Sequence, residues 1–317
     1  MPIRIPDALP AADLLRQENV FVMPESQALH QDIRPLEVVL LNLMPQKIAA
    51  ENQILRLLAN TPLQVNVTLL RIDDQPSRHT CNAHLSRFYR DFSSIREHNV
   101  DGLIITGAPL GQLPFSEVRY WPQLQAVLDW ARAHVTSSMF LCWAAQAALY
   151  YYHAVPRSSR QQKWSGIYAQ QLHNSQHQLT RGFDDQFLVP LSRYGDFFEE
   201  AIGQVASLDI LASHPESGVY MAASGDGREV YVSGHPEYDA MTLAEEYQRD
   251  CAAGLDPALP VHYFPGDDPG AAPRSRWRSH ANLLFSNWLN YCVYQATPFD
   301  LSAPRPASIA PGSPLSR

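Results

Sequence analysis

A chain of 317 residues, 45% of them hydrophobic and 18% charged, has enough apolar material for a full core in one large domain or two small ones. Its formal charge of −8 at pH 7 and the lack of a long basic run argue against a nucleic-acid surface, and no apolar stretch approaches the ~20 residues that cross a bilayer. The cysteines (Cys81, Cys142, Cys251, Cys292) have no paired spacing and the N-terminus lacks the charged and apolar blocks of a signal peptide, so free thiols and a cytoplasmic setting are expected.

Residues 1–35 read as an N-terminal arm with one short helix over 11–18. Residues 36–43 form a nearly continuous apolar run, the mark of a central parallel strand covered on both faces, and Met44-Pro45 ends it. Helical spacing of Ile48, Ile54, Leu55 and Leu58 follows over 47–59, then alternation over 63–70, which completes one βαβ unit. A third strand, 100–106, breaks at the glycine-bracketed loop 107–111, and a helix is expected over 121–134. The run Met139-Phe140-Leu141 then enters Cys142 and a helix from Trp143. Further on, a short strand over 229–233 leads to a helix from about Met241. The alternation predicts an α/β fold with a doubly wound, mostly parallel sheet, whose functional groups gather beyond the carboxyl ends of the strands. Residues 257–273 read as a long loop of the kind that forms a lid or an interface. The stripe Leu284, Phe285, Trp288, Leu289 belongs to a helix that meets the core or another subunit, and residues 302–317, rich in proline and serine, are expected to be a disordered tail.

The junction at Cys142 has the pattern of a nucleophile elbow. A strand turning sharply into a helix holds the thiol clear of the sheet, next to the free N–H groups and positive potential of the helix N-terminus. A lone cysteine is more often a core residue, so the reading depends on a second element. The strand at 229–233 delivers Gly234-His235-Pro236-Glu237. Proline keeps His235 extended, and residues two apart in extended chain project to one side, which brings the Glu237 carboxylate to the imidazole. Cys142, His235 and Glu237 then make a Cys-His-Glu triad, with the imidazole activating the thiol and the carboxylate orienting the imidazole.

A second copy of the motif, His214-Pro215-Glu216, has the same local spacing. The Ser217-Gly218 behind it suggests a hairpin turn, so His214 reads as a loop or edge-strand residue. His173 and His177 have no acidic or thiol partner at zinc spacing; they read as a solvated pair, and no metal is expected. The 107–111 loop shares an edge with Cys142 and would offer N–H groups to an oxyanion, with Leu110 and Trp143 as the candidates.

The segments Ile105-Thr106-Gly107-Ala108-Pro109-Leu110-Gly111, Cys142-Trp143-Ala144-Ala145-Gln146-Ala147-Ala148-Leu149, Ser192-Arg193-Tyr194, Gly234-His235-Pro236-Glu237-Tyr238-Asp239 and Trp277-Arg278-Ser279-His280 closely resemble the homoserine O-succinyltransferase family of methionine biosynthesis. The likeness runs from the first strand to Phe299-Asp300-Leu301. It implies a class I glutamine amidotransferase-like (flavodoxin-like) domain over 36–301 with N- and C-terminal extensions, acting as an acyltransferase. It also implies a ping-pong reaction in which Cys142 accepts succinyl from succinyl-CoA, His235 takes the proton from the hydroxyl of L-homoserine, and Glu237 orients His235. Substrate contacts are implied for Lys163, Ser192 and Arg249, together with a homodimer, and succinyl-CoA is a co-substrate with no bound cofactor. The residue at Gly111 is implied to separate succinyl from acetyl donors, because glutamate there would crowd and repel the distal carboxylate of a succinyl group.

Lys163 and Arg249 suit carboxylates on physical grounds as well, and Glu246, one turn from Arg249, would suit an ammonium. The rivals are an acetyl-CoA-dependent enzyme, a glutamine-hydrolysing amidotransferase and a metabolite-binding domain without catalysis. Gln146, four residues after the cysteine, fits the amidotransferase. Phe140 and Ala144, where such elbows usually carry glycines, do not.

Overall fold

The computed structural model describes residues 3–5, 9–17, 22–24, 34–72 and 80–297, so the expected tail at 302–317 lies outside the described residues. In chain order, β1 (Ile3–Ile5), α1 (Pro10–Gln17), β2 (Val22–Pro24), β3 (Leu36–Leu41), α2 (Lys47–Leu58), β4 (Val65–Arg71), α3 (Asn82–Phe88) and β5 (Tyr89–Asp91) make the first third. The centre comprises β6 (Val100–Ile105), α4 (Trp121–His134), β7 (Val135–Leu141), α5 (Trp143–His153), β8 (Ser159–Leu172) and β9 (Gln186–Gly195). After these come α6 (Glu199–Gly203), β10 (Leu208–His214), β11 (Gly218–Ser224), β12 (Glu229–Val232), α7 (Thr242–Ala252) and α8 (Arg278–Asn287), which continues as a π-helical turn, Trp288–Tyr294.

One mixed sheet runs in the order β2-β1-β4-β3-β6-β7-β12-β11-β10-β8-β9, with β5 also on β4. From β2 to β12 the neighbours are parallel; β11, β10, β8 and β9 continue as an antiparallel extension. The alternation of side chains explains why the central strands are apolar over their carboxyl-terminal residues, 38–41, 103–105 and 139–141. Val38, Leu40, Ile104, Met139 and Leu141 face a core built with Ile54 and Leu58 of α2 and Leu284 and Phe285 of α8. Val39, Leu41, Leu103, Ile105 and Phe140 face the opposite core, built with Leu124, Val127 and Leu128 of α4 and Ala145 and Leu149 of α5. Each such side chain, removed from water, contributes about 1.5–3 kcal/mol, so both faces demand hydrophobic residues at successive positions.

Several expectations gain detail. Residues 1–35 contribute β1 and β2 to the sheet, and Leu9, Ala11, Ala12 and Leu15 of this segment are buried against α2. The C-terminal helical stripe is core: Leu284, Phe285, Trp288 and Leu289 are fully buried, and the Trp288 indole donates to Ser137 Oγ at 2.9 Å. The 257–273 segment is fastened to β8, where Val261 N–H donates to Ser165 O and Ile167 N–H donates to Val261 O. A Cβ on Gly166, whose φ is +142°, would lie 2.4 Å from the Val261 backbone, so this junction requires glycine. Tyr263, Phe264 and Trp277 then pack with Ile167, Tyr238 and Leu243 in a third, smaller core.

Candidate active site

Strands β7 and β12 pair in parallel, Val232 opposite Leu141, so their carboxyl ends deliver Cys142 and the 233–238 segment side by side. Cys142 N–H still donates to Val232 O at 2.7 Å. Its own φ and ψ, 51° and −112°, then leave both strand and helix space, a strained conformation for a residue with a side chain. The turn lifts the thiol out of the sheet at the start of α5, where the N–H groups of the first turn have no intrahelical acceptors. The buried Sγ lies 3.8 Å from the Ser192 carbonyl of β9. Gly107, at the end of β6, completes the approach: a Cβ there would stand 3.2 Å from Cys142 Cβ and 3.3 Å from His235 Cε1. The thiol and the imidazole therefore share one small space over this glycine.

Gly234 lets the chain pass against β9, since a Cβ would fall 2.8 Å from both Val189 and Leu191 side chains and 2.9 Å from Pro190 O. His235 N–H donates to that same Pro190 carbonyl at 2.9 Å. His235 Nδ1 meets Glu237 Oε1 at 2.7 Å, and both side chains are buried. The route differs from the extended chain expected: Tyr238 N–H donates to His235 O at 3.2 Å, so Pro236 and Glu237 form a turn, and that turn brings the carboxylate back to the ring. Burial opposes a charge on the imidazole, but the neighbouring Cys142 sulfur and the hydrogen-bonded Glu237 carboxylate outweigh it and hold His235 well above its ordinary pKa. The ring of Tyr238 stacks on it, centroids 4.1 Å apart and planes 20° apart.

His214 is placed differently. It ends β10, an interior strand between β11 and β8 and not an edge strand, at the mouth of the expected hairpin. Its Nδ1 accepts the N–H groups of Glu216 and Ser217, and its ring packs edge-on to Tyr168. The two other histidines also have local tasks, His173 bonding Ser213 Oγ and His177 accepting the Leu179 N–H.

A cavity of about 280 Å³ opens over Cys142 and His235. Its far wall carries Lys163 from β8, Ser192 from β9, and Glu246, Arg249 and Asp250 from α7. Glu246 Oε2 accepts from Ser192 Oγ and from Lys163 Nζ, the latter at 3.4 Å, while Tyr238 OH donates to Oε1 at 2.8 Å. Asp250 bridges the two cations: Oδ2 receives Lys163 Nζ at 2.8 Å and Oδ1 receives Arg249 Nε and Nη2 at 3.0 and 2.8 Å. Burial pushes the Asp250 carboxyl up, but hydrogen bonds from Lys163 and Arg249 prevail and lower its pKa. Burial works against the Lys163 ammonium, but Glu246 and Asp250 outweigh it and hold its pKa above the usual range. Sequence reasoning did not single out Asp250. Its adjacency to Arg249 and its position one turn from Glu246 were the available signals, but only the approach of β8 gives them meaning.

Across residues 2–299 the chain matches the sequence model described as homoserine O-succinyltransferase. The chain belongs to this family. A homoserine O-succinyltransferase from Edwardsiella ictaluri is 58% identical over 306 residues, covering 96% of this chain and 99% of that one. Another from Vibrio vulnificus is 56% identical over 301 residues, covering 95% and 96%. Among solved structures, a glutamine amidotransferase from Thermotoga maritima superposes with a TM-score of 0.53 at 13% identity, over 83% of this chain and 100% of that chain. The class I glutamine amidotransferase-like fold expected from the sequence is therefore the one observed.

For a homoserine O-succinyltransferase family member, the remaining positions read as follows. Gly111 lines the cavity, and its carbonyl accepts from Ser159 Oγ at 3.0 Å and from Arg157. A Cβ at Gly111 would lie 3.1 Å from Tyr194 Cβ, so a larger residue here must displace Tyr194 or project into the cavity. Leu110 N–H donates to Ala108 O at 2.8 Å, so this donor already has an acceptor within its own loop, and the side chain packs against the α4–α5 core. Trp143, in the first turn of α5, lines the cavity beside Cys142. Gln146 Nε2 donates to Ser158 O at 3.0 Å and to Asp196 O at 3.5 Å, pinning the ends of β8 and β9 together above α5.

Proposed function

We propose that this protein transfers succinyl from succinyl-CoA to the hydroxyl of L-homoserine through a thioester on Cys142, giving O-succinyl-L-homoserine and coenzyme A. The observation that carries the reading is the Cys142 elbow under an imidazole whose Nδ1 is held by Glu237 at 2.7 Å. In the first half-reaction the Cys142 thiolate attacks the succinyl carbonyl, the carbon–sulfur bond to coenzyme A breaks, and the His235 imidazolium protonates the departing thiolate. The Trp143 N–H at the α5 N-terminus is our candidate to receive the oxyanion. Acylation removes the negative charge from Cys142, one of the influences that keep His235 protonated. The now neutral imidazole is a better base for the second half, in which it takes the homoserine hydroxyl proton as the oxygen attacks the thioester and the carbon–Sγ bond breaks.

Lys163, Ser192 and Arg249 would hold the substrates, with the amino-acid ammonium at Glu246 and the two cations on carboxylates. In the absence of substrate these groups satisfy one another. Glycine at 111 leaves room for the distal carboxylate, which supports succinyl over acetyl as the donor. Residues 36–301 would form the catalytic domain between the arm 1–35 and the tail 302–317, in a cytoplasmic homodimer. The free thiols support that compartment, and no helix among the described residues is long and apolar enough to cross a membrane.

Intact-protein mass after brief incubation with succinyl-CoA, beside Cys142→Ala, tests the reading. We expect a succinyl adduct on the wild type alone, discharged by L-homoserine. An adduct only with acetyl-CoA would overturn the donor, and no adduct with either would overturn the covalent mechanism.

A further inference from the structure

Tyr238 connects two parts of the cavity that the mechanism uses at different moments. Its ring lies on the His235 imidazole, with centroids 4.1 Å apart and planes 20° apart, and its hydroxyl donates to Glu246 Oε1 at 2.8 Å. The tyrosine is itself immobilised. It is 5% exposed, its N–H donates to His235 O at 3.2 Å, and its carbonyl accepts the Trp277 indole N–H at 2.9 Å. Burial, reinforced by the nearby Glu246 and Glu237 carboxylates, raises the phenol pKa well above its ordinary value, so the hydroxyl stays a donor throughout the working range. Packing alone accounts for a buried aromatic ring here, but a phenylalanine would pack as well. The hydroxyl is spent on one carboxylate oxygen of Glu246, whose other oxygen receives Ser192 and Lys163.

We propose that Tyr238 is a positioning residue that couples the base to the acceptor site, fixing the plane of His235 through its ring and the Glu246 carboxylate through its hydroxyl. The inference rests on the acyl-transfer reading above and deepens it. The ring contact favours the imidazolium, since a π face attracts a cation, and it keeps the imidazole from rotating out of line with Cys142. The hydroxyl contact serves only the second half-reaction, when the acceptor's ammonium enters beside Glu246. The two contacts therefore belong to different kinetic steps, and substitutions that separate them must have different signatures.

Tyr238→Phe keeps the ring and removes the hydroxyl. Stopped mixing with succinyl-CoA should show Cys142 acylation within about twofold of wild type, whereas discharge by L-homoserine should require about tenfold more acceptor at half-saturation. Tyr238→Leu removes both contacts. Both half-reactions should slow, and the acid limb of the discharge rate should move to lower pH, because an imidazolium without the ring above it gives up its proton more readily. A melting temperature for each variant identifies loss of fold, and the phenylalanine variant carries the test if the leucine variant does not fold. Equal effects of Tyr238→Phe on both half-reactions, or none on either, would overturn the coupling. If wild-type protein forms no acyl adduct, the functional reading itself fails and the coupling falls with it, an outcome distinct from a normal wild type with an indifferent phenylalanine variant.

Discussion

The parallel half of the sheet and its antiparallel extension meet at the same cavity but do different work. Strands β6, β7 and β12 end at Gly107, Cys142 and the His235 segment, and their geometry follows from adjacent parallel strands finishing at one edge. Strands β8 and β9, with α7 across from them, bring Lys163, Ser192, Glu246, Arg249 and Asp250 to the opposite wall. In the first half the central strands β3, β6 and β7 are covered on both faces, which makes their carboxyl ends continuous apolar runs. The second keeps a polar face toward the cavity: β8 starts with four exposed residues, and its neighbour β9 alternates buried with half-buried positions towards its end. On the proposed function, chemistry would be lodged in the core of the sheet, and substrate recognition in the part whose side chains reach solvent or ligand.

Substitutions sharpen this division according to the half-reaction they disturb. On the parallel side, Cys142→Ala should remove the acyl adduct and lower turnover by at least about 10³-fold, measured by coenzyme A release. Glu237→Gln should cost about 10²–10⁴-fold in both half-reactions, since the amide preserves shape but neither selects the imidazole tautomer nor balances its charge. Equal binding of homoserine by this variant and wild type would confine the loss to chemistry. On the opposite wall, Asp250→Asn should leave acylation near normal and raise the half-saturating homoserine concentration about tenfold, because Lys163 and Arg249 lose the carboxylate that spaces them. If acylation fell as far as discharge, the proposed separation between the walls would be wrong. Gly111→Glu should shift preference from succinyl-CoA towards acetyl-CoA in a competition assay, and faster use of acetyl-CoA by the unaltered chain would reverse the donor assignment.

The smallest effect on activity is expected farthest from the cavity, at the amino end of β12. Burial pushes the Glu229 carboxyl up, but hydrogen bonds from His153, Arg132 and Tyr231 and the charge of Arg132 prevail and hold it at about 2. A carboxyl depressed in the folded state stabilises the fold above its unfolded pKa near 4.5, and that contribution is lost as pH falls from there through about 2. The linked free energy is on the order of 3 kcal/mol. Glu229→Gln should therefore lower the melting temperature near neutral pH and flatten its dependence between pH 5 and 2, with both half-reactions intact at 25 °C.

What could be read from the chain alone divides along the same line. The elbow was legible because an apolar strand, one cysteine and an apolar helix stand in sequence. The His235–Glu237 pair was legible because the two stand only two residues apart behind a short strand, although the structure joins them through a turn at Pro236–Glu237 and not through extended chain. Helix α4 was expected with the bounds it has, Trp121–His134, for the same reason of local period. The polar strand β8, the pairing of β8 with β9, and Asp250 were not legible as such. Lys163 and Ser192 are 29 positions apart, and their meeting follows from a register, Trp164 opposite Arg193, in strands whose polar faces carry no hydrophobic alternation to announce them. Identical local words also needed the fold to separate them: His214 and His235 both precede Pro-Glu, but the first ends β10 and caps a hairpin while the second follows β12 to the edge beside Cys142. Short-range sterics and periodicity determined the Cys142 elbow and the doubly wound half, because both depend only on neighbours in the chain. Long-range pairing, which depends on which strands find one another across the sheet, decided which polar groups face Cys142 and the contacts of Tyr238.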